Sequence, residues 1–154
     1  MRKNILIFFI PFFLSIFIFE IAVAKNIFFK EGKTLFDKKK YLDSKFYFEK
    51  DIVFNPKSEN SYLYLAKIFK KQKKDILEEN NLNTVLLLNP KNEEAIYLLA
   101  LLNIKKSNFS EVDNLILTLT TVCKKMCFTT KELKEKLNRS QKSKWAVYPK
   151  KTKS

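Results

Sequence analysis

The chain has no histidine among its 154 residues, a single glycine, four prolines, two cysteines and only two arginines. Without histidine there is no imidazole general base, no His-based triad and no ordinary zinc site. One glycine, Gly32, cannot build a glycine-rich phosphate loop. Catalysis and resident metals or cofactors are therefore not expected. So few turn-forming residues also disfavour sandwiches and barrels and favour helices joined by short links. Arginine is confined to Arg2 and Arg139, although the formal net charge is +14. A nucleic-acid reader normally uses arginine forks for bases and phosphates, so lysine richness is no sign of DNA or RNA binding. The abundance of Lys, Asn, Ile and Phe fits A- and T-rich codons instead.

What is present is a hydrophobic fraction of 46% alongside 30% charged residues. That composition supports a packed core in one domain. Residues 1–24 have the three parts of a signal peptide. Arg2 and Lys3 form a basic start, an apolar run follows from Ile5 to Phe19, and Ala22-Val23-Ala24 supplies small residues before a cut. The run is shorter than the ~20 residues a bilayer span needs, and Glu20 interrupts it. The expectation is an exported chain, most naturally periplasmic; the alternative is an inner-membrane protein anchored by an uncleaved N-terminal segment.

The main signal is repetition. "NPKSENS" at 55–61 and "NPKNEEA" at 89–95 place Pro56 and Pro90 34 residues apart. Proline ends a helix and pushes the preceding Asn55 or Asn89 out of helical angles. Ser58 and Asn92 then stand as N-caps, and Glu59, Glu93 and Glu94 suit the positive end of the next helix. "IYLLALLNI" at 96–104 is apolar nearly all round, so it needs cover on several sides, which stacked helix pairs provide. The register predicts units at 25–58, 59–92 and 93–126. The third lacks a closing proline; "CKKMC" stands there instead. Thr129 and Glu132 read as a capping box behind Phe128, with Leu133 and Leu137 on one face of an amphipathic capping helix over 127–138. Residues 139–154, with six basic and no acidic side chains, read as a mobile basic tail. Trp145 and Tyr148 within it suit weak attachment to anionic lipid or to an acidic partner.

In this register the chain resembles the tetratricopeptide repeat. Phe28, Gly32, Leu35, Tyr41, Ser44, Phe48 and Pro56 match its pattern in the first unit. Tyr62, Leu65, Ala66, Phe69, Leu82, Val85 and Pro90 match it in the second, and Ile96, Leu99, Ala100, Phe109, Ile116 and Leu119 in the third. Asp51, Glu78 and Val112 depart from it, standing where the family has small residues. The resemblance implies an all-α helix–turn–helix solenoid of about three repeats plus the capping helix, acting as a non-enzymatic scaffold for proteins or peptides.

The resemblance also implies a groove on the first helix of each repeat. Its candidates are Asn26, Phe29, Lys33, Phe36, Asn60, Leu63, Lys67, Lys70, Lys71, Tyr97, Leu101 and Lys105, with Asp37, Glu94 and Ile104 beside them. Five lysines there would either attract an acidic peptide or form a solvated face. The family's clamp for a peptide carboxylate does not carry over: Phe29, Tyr64 and Leu98 stand where that clamp has polar groups. Cys123 and Cys127 are candidates for a disulfide that would replace the missing proline, or else two reduced thiols. Three repeats lie near the lower limit for independent stability, which leaves self-association open as an alternative.

Overall fold

The computed structural model describes residues 27–146, with side chains to Lys144. The proposed signal peptide, Asn26 and residues 147–154 lie outside the described residues. Every described element is an α-helix: α1 at 27–37, α2 Tyr41–Phe54, α3 Glu59–Lys71, α4 Asp75–Leu88, α5 Glu93–Lys105, α6 Phe109–Val122 and α7 Thr129–Ala146. The interval read from the two prolines recurs in the helices. Tyr41, Asp75 and Phe109 open α2, α4 and α6 in steps of 34, and α3 and α5 open one such step apart.

The backbone shows how helices are turned with almost no glycine. Lys39, Lys73 and Ser107 have φ of 61, 57 and 59°, again at that interval. Each occupies the left-handed position that glycine usually takes at a helix end. The next residue's N–H bonds five residues back, Lys40 to Leu35 O (2.9 Å), Lys74 to Phe69 O (3.0 Å) and Asn108 to Asn103 O (2.9 Å), which closes the first helix of each hairpin. At the other joints Asn55 (φ −135°, ψ 77°) and Asn89 (φ −143°, ψ 90°) leave the helix as their prolines require. Cys123 leaves it the same way without a proline (φ −63°, ψ 140°).

The chain forms two compact units that divide between Leu65 and Ala66, inside α3. The first has an aromatic core. Phe48 is fully buried, with Tyr64 stacked on it at 5.0 Å and Phe29 at 5.8 Å. Phe36 meets Tyr64 edge-on at 5.0 Å. Here the lone glycine is needed: a Cβ on Gly32 would lie 2.9 Å from the Phe48 ring. Close approach also lets the Ser44 hydroxyl donate to the Gly32 carbonyl at 2.8 Å. Asp51 takes a small residue's place with 0% exposure, and it accepts a hydrogen bond from Ser61 Oγ at 2.5 Å.

The second unit has an aliphatic core of Leu82, Val85, Ile96, Leu99, Leu102, Val112, Leu119, Leu133 and Leu137. As its all-round apolar sequence requires, α5 is covered by α4, α6 and α7. Asn92 caps α5, accepting from the Ala95 N–H at 2.9 Å. Ser58 does not cap α3 in this way: its hydroxyl donates to Ser61 Oγ at 3.1 Å, because Ser61 already belongs to the Asp51 network. At α7 the expected capping box is absent. Thr129 lies within the helix and donates to Met126 O, Glu132 turns to Tyr97, and Phe128 is exposed. Residues 139–146, expected as tail, continue α7, and Lys144 sits 5.4 Å from the centroid of the Phe109 ring. No helix among the described residues is long and apolar enough to cross a membrane.

Candidate functional site

In the first unit the predicted groove residues lie on α1 and the start of α3. Phe29 and Phe36 are half-buried in the aromatic cluster, and Phe29 meets Tyr64 at 5.8 Å. Leu63 is 5% exposed, so it serves the core rather than presenting a ligand surface. Lys33 pairs with Asp37 at 2.8 Å one turn on. The Asp37 hydrogen bond, with Tyr64 nearby, holds the Lys33 ammonium above its usual range. Asn60 is exposed and lines a polar hollow of about 240 Å³ with Asp51, Asn55 and Ser58. In the same unit Oδ1 of Asp51 has no hydrogen-bond partner among the described residues.

In the second unit the sequence places Lys67, Lys70 and Lys71 on α3 and Tyr97, Leu101 and Lys105 on α5. The structure resolves these lysines into different roles. Lys67 pairs with Glu94 at 2.7 Å, and Lys105 pairs with Asp75 at 2.6 Å. Neighbouring Lys106 pairs with Glu79 at 2.7 Å. Lys71 is exposed. Lys70 forms no ion pair among the described residues, and its charge acts on Glu78. Lys70 and Lys105 flank a cleft of about 220 Å³ whose other lining residues are Glu78, Leu101 and Leu102. Glu78 is 3% exposed; burial pushes its carboxyl up, and Lys70 pulls it back. The cleft is thus lined by two leucines, two lysines and one buried carboxyl.

Tyr97 serves another purpose than the expected one. Its hydroxyl donates to Glu132 Oε1 on α7 at 3.0 Å. Burial and this carboxylate raise the phenol, while the Tyr97 hydroxyl and then Lys136 hold Glu132 low. Cys123 and Cys127 are joined by a disulfide (Sγ–Sγ 2.12 Å, Cα–Cα 5.2 Å), lying in the loop between α6 and α7 rather than within a helix. Inside this loop the N–H groups of Lys124 (2.9 Å), Lys125 (3.0 Å) and Met126 (2.6 Å) all donate to the Glu93 carboxylate. The Met126 N–H is the chief cause of Glu93 sitting below its ordinary value. Sequence reasoning placed Glu93 at the helix dipole and missed this grip, because its partners lie more than thirty residues downstream. Among the described residues there is no cluster of three side chains fit to ligate a metal.

No family model matches the sequence, and no curated protein matches it. Solved structures do. The first TPR domain of human RPAP3 superposes with a TM-score of 0.70 at 17% identity, covering 81% of this chain and 98% of that one. The chain has the tetratricopeptide-repeat fold. The TPR domain of Arabidopsis OM64 gives 0.68 at 15% identity over 77% of this chain and 98% of its own. The C-terminal TPR-containing domain of a putative FK506-binding protein from Plasmodium falciparum gives 0.65 at 16% over 84% and 95%. Of the three residues compared with the family's carboxylate clamp, Phe29 and Tyr64 pack ring on ring and Leu98 is buried.

Proposed function

We propose that the chain is a non-enzymatic adaptor that binds a partner protein or peptide in the bacterial cell envelope, through an acidic segment bearing a bulky apolar side chain. The observation that carries this reading is the cleft between Lys70 and Lys105, lined by Leu101 and Leu102. A partner's carboxylate would compete with Asp75 for Lys105 and meet Lys70 directly, while its apolar side chain would rest on Leu101. Charge-assisted contacts around an apolar anchor are a common basis of peptide recognition. Two structural neighbours hold protein ligands: the first TPR of Spaghetti (RPAP3) is bound to the HSP90 peptide SRMEEVD, and TPR2B of yeast Sti1 is in a complex with pHsp70. The different residues at the clamp positions give this chain a different preference from a carboxylate clamp. The envelope assignment rests on the leader-like first 24 residues.

The test is a fluorescence-anisotropy titration of the full chain with paired acidic and basic amphipathic peptides of equal length. Acidic peptides should bind in the micromolar range and weaken by about tenfold or more in a Lys70→Glu/Lys105→Glu variant. Equal affinity for both peptide classes, or a variant that binds as the parent does, would defeat the proposal.

A further inference from the structure

Two features remain unabsorbed by that reading, and they have complementary chemistry. The first is a second groove, confined to the first unit, between α1 and α2. It measures about 440 Å³ and is lined by Glu31, Leu35, Leu42, Asp43, Phe46 and Tyr47. Leu42 is 75% exposed and Phe46 60% exposed. They lie one turn apart, with Val53 further along the same stripe of α2. Leaving a phenyl ring and two aliphatic side chains in water marks a surface that something covers. The charged residues lining the groove are both acidic. Among the described residues neither Glu31 nor Asp43 forms an ion pair, in a chain of net charge +14. An anionic bilayer surface would be repelled by such a groove, and an acidic peptide equally so.

The second feature is the end of the chain, "WAVYPKKTKS". It sets Trp145, Val147 and Tyr148 directly before Lys150, Lys151 and Lys153 and contains no acidic side chain. Apolar groups followed by cations match an apolar groove rimmed by carboxylates.

We infer that the α1–α2 groove receives residues 145–154 of a second copy of this chain. A second copy is favoured because the recognised residues begin inside the last turn of α7, which runs to Ala146. Trp145 is itself part of that helix, so a groove that takes the segment must also approach the end of α7. Groove and tail are different surfaces, so the contact joins unlike patches of two copies. The contact is independent of the Lys70 cleft.

The experiment is sedimentation of the full chain across a concentration series at low and high salt, with emission of Trp145, the only tryptophan, followed in parallel. Concentration-dependent association with a blue-shifted emission is expected, both weakened by salt. Glu31→Lys/Asp43→Lys and, separately, Lys150→Glu/Lys151→Glu should each reduce association by about tenfold or more while leaving helix content unchanged. Mixing the two variants should restore it, because the altered groove of one then fits the altered tail of the other. A chain that stays monomeric at every concentration and salt would overturn the inference, whichever other ligand the groove takes. So would variants that associate as the parent does, or a mixture that fails to recover.

Discussion

The two units of this chain solve one packing problem with different materials. Residues 27–65 pack rings against a glycine and bury Ser44, Asp51 and Ser61 in hydrogen bonds. Residues 66–146 pack branched aliphatics; they too bury polar groups, Glu78, Asn103 and Thr129, but add edge contacts in Lys67–Glu94, Lys105–Asp75, Lys106–Glu79 and the Glu93 grip. Rings have few orientations, and a buried carboxylate needs its donor. Aliphatic side chains repack more readily, and edge ion pairs are worth little each. The first unit should thus be less tolerant of substitution than the second.

That contrast breaks most plainly in the cores. Phe48→Ala should cost about 3–5 kcal/mol in denaturant unfolding, against about 1 kcal/mol for Ile96→Val in the second unit. Equal losses would remove the distinction. Next, Ser61→Ala takes the donor from buried Asp51 and should cost about 1–3 kcal/mol, whereas Lys106→Ala at an exposed pair should cost less than about 1 kcal/mol. Titration sharpens the comparison from the other side. Glu93 and Glu132 are held below their ordinary value of 4.5, so what they contribute is fully present above that value. It is lost as pH falls through their lower folded values. Amides of residues 124–126 should accordingly lose hydrogen-exchange protection in acid, and at neutral pH in Glu93→Ala. Glu78 runs the opposite way: its raised carboxyl favours the folded state in the protonated form, so its contribution falls as pH climbs above 4.5. The smallest effect concerns the turns shared by both units. Glycine at Lys39, Lys73 or Ser107 should raise stability by about 1 kcal/mol or less, since each now holds an L-residue at positive φ.

Features that depend on local chemistry were legible in the sequence. Pro56 and Pro90 gave the interval, Asn92 its cap, and the all-round apolar α5 its need for cover on several sides. The candidate site was less legible, for a physical reason. Whether Lys67 or Lys105 attracts a ligand depends on Glu94 and Asp75, each about thirty residues distant in sequence, and nothing in the lysine pattern identifies those partners. Tyr97 looked like a groove residue until α7 supplied Glu132. Thr129 and Ser58 show the converse: each matched a local capping rule, and each was taken over by a competing tertiary or turn hydrogen bond.

The grip on Glu93 also bears on the order in which the molecule can be completed. Its carboxylate opens α5, but the three N–H groups that hold it belong to residues 124–126, beyond the far end of α6. During synthesis α5, which ends at Lys105, is complete well before its clasp is made, whereas α6 ends at Val122, immediately ahead of it. The clasp closes only after the loop arrives, with α7 following directly behind it. The last hairpin is therefore latched from its C-terminal side.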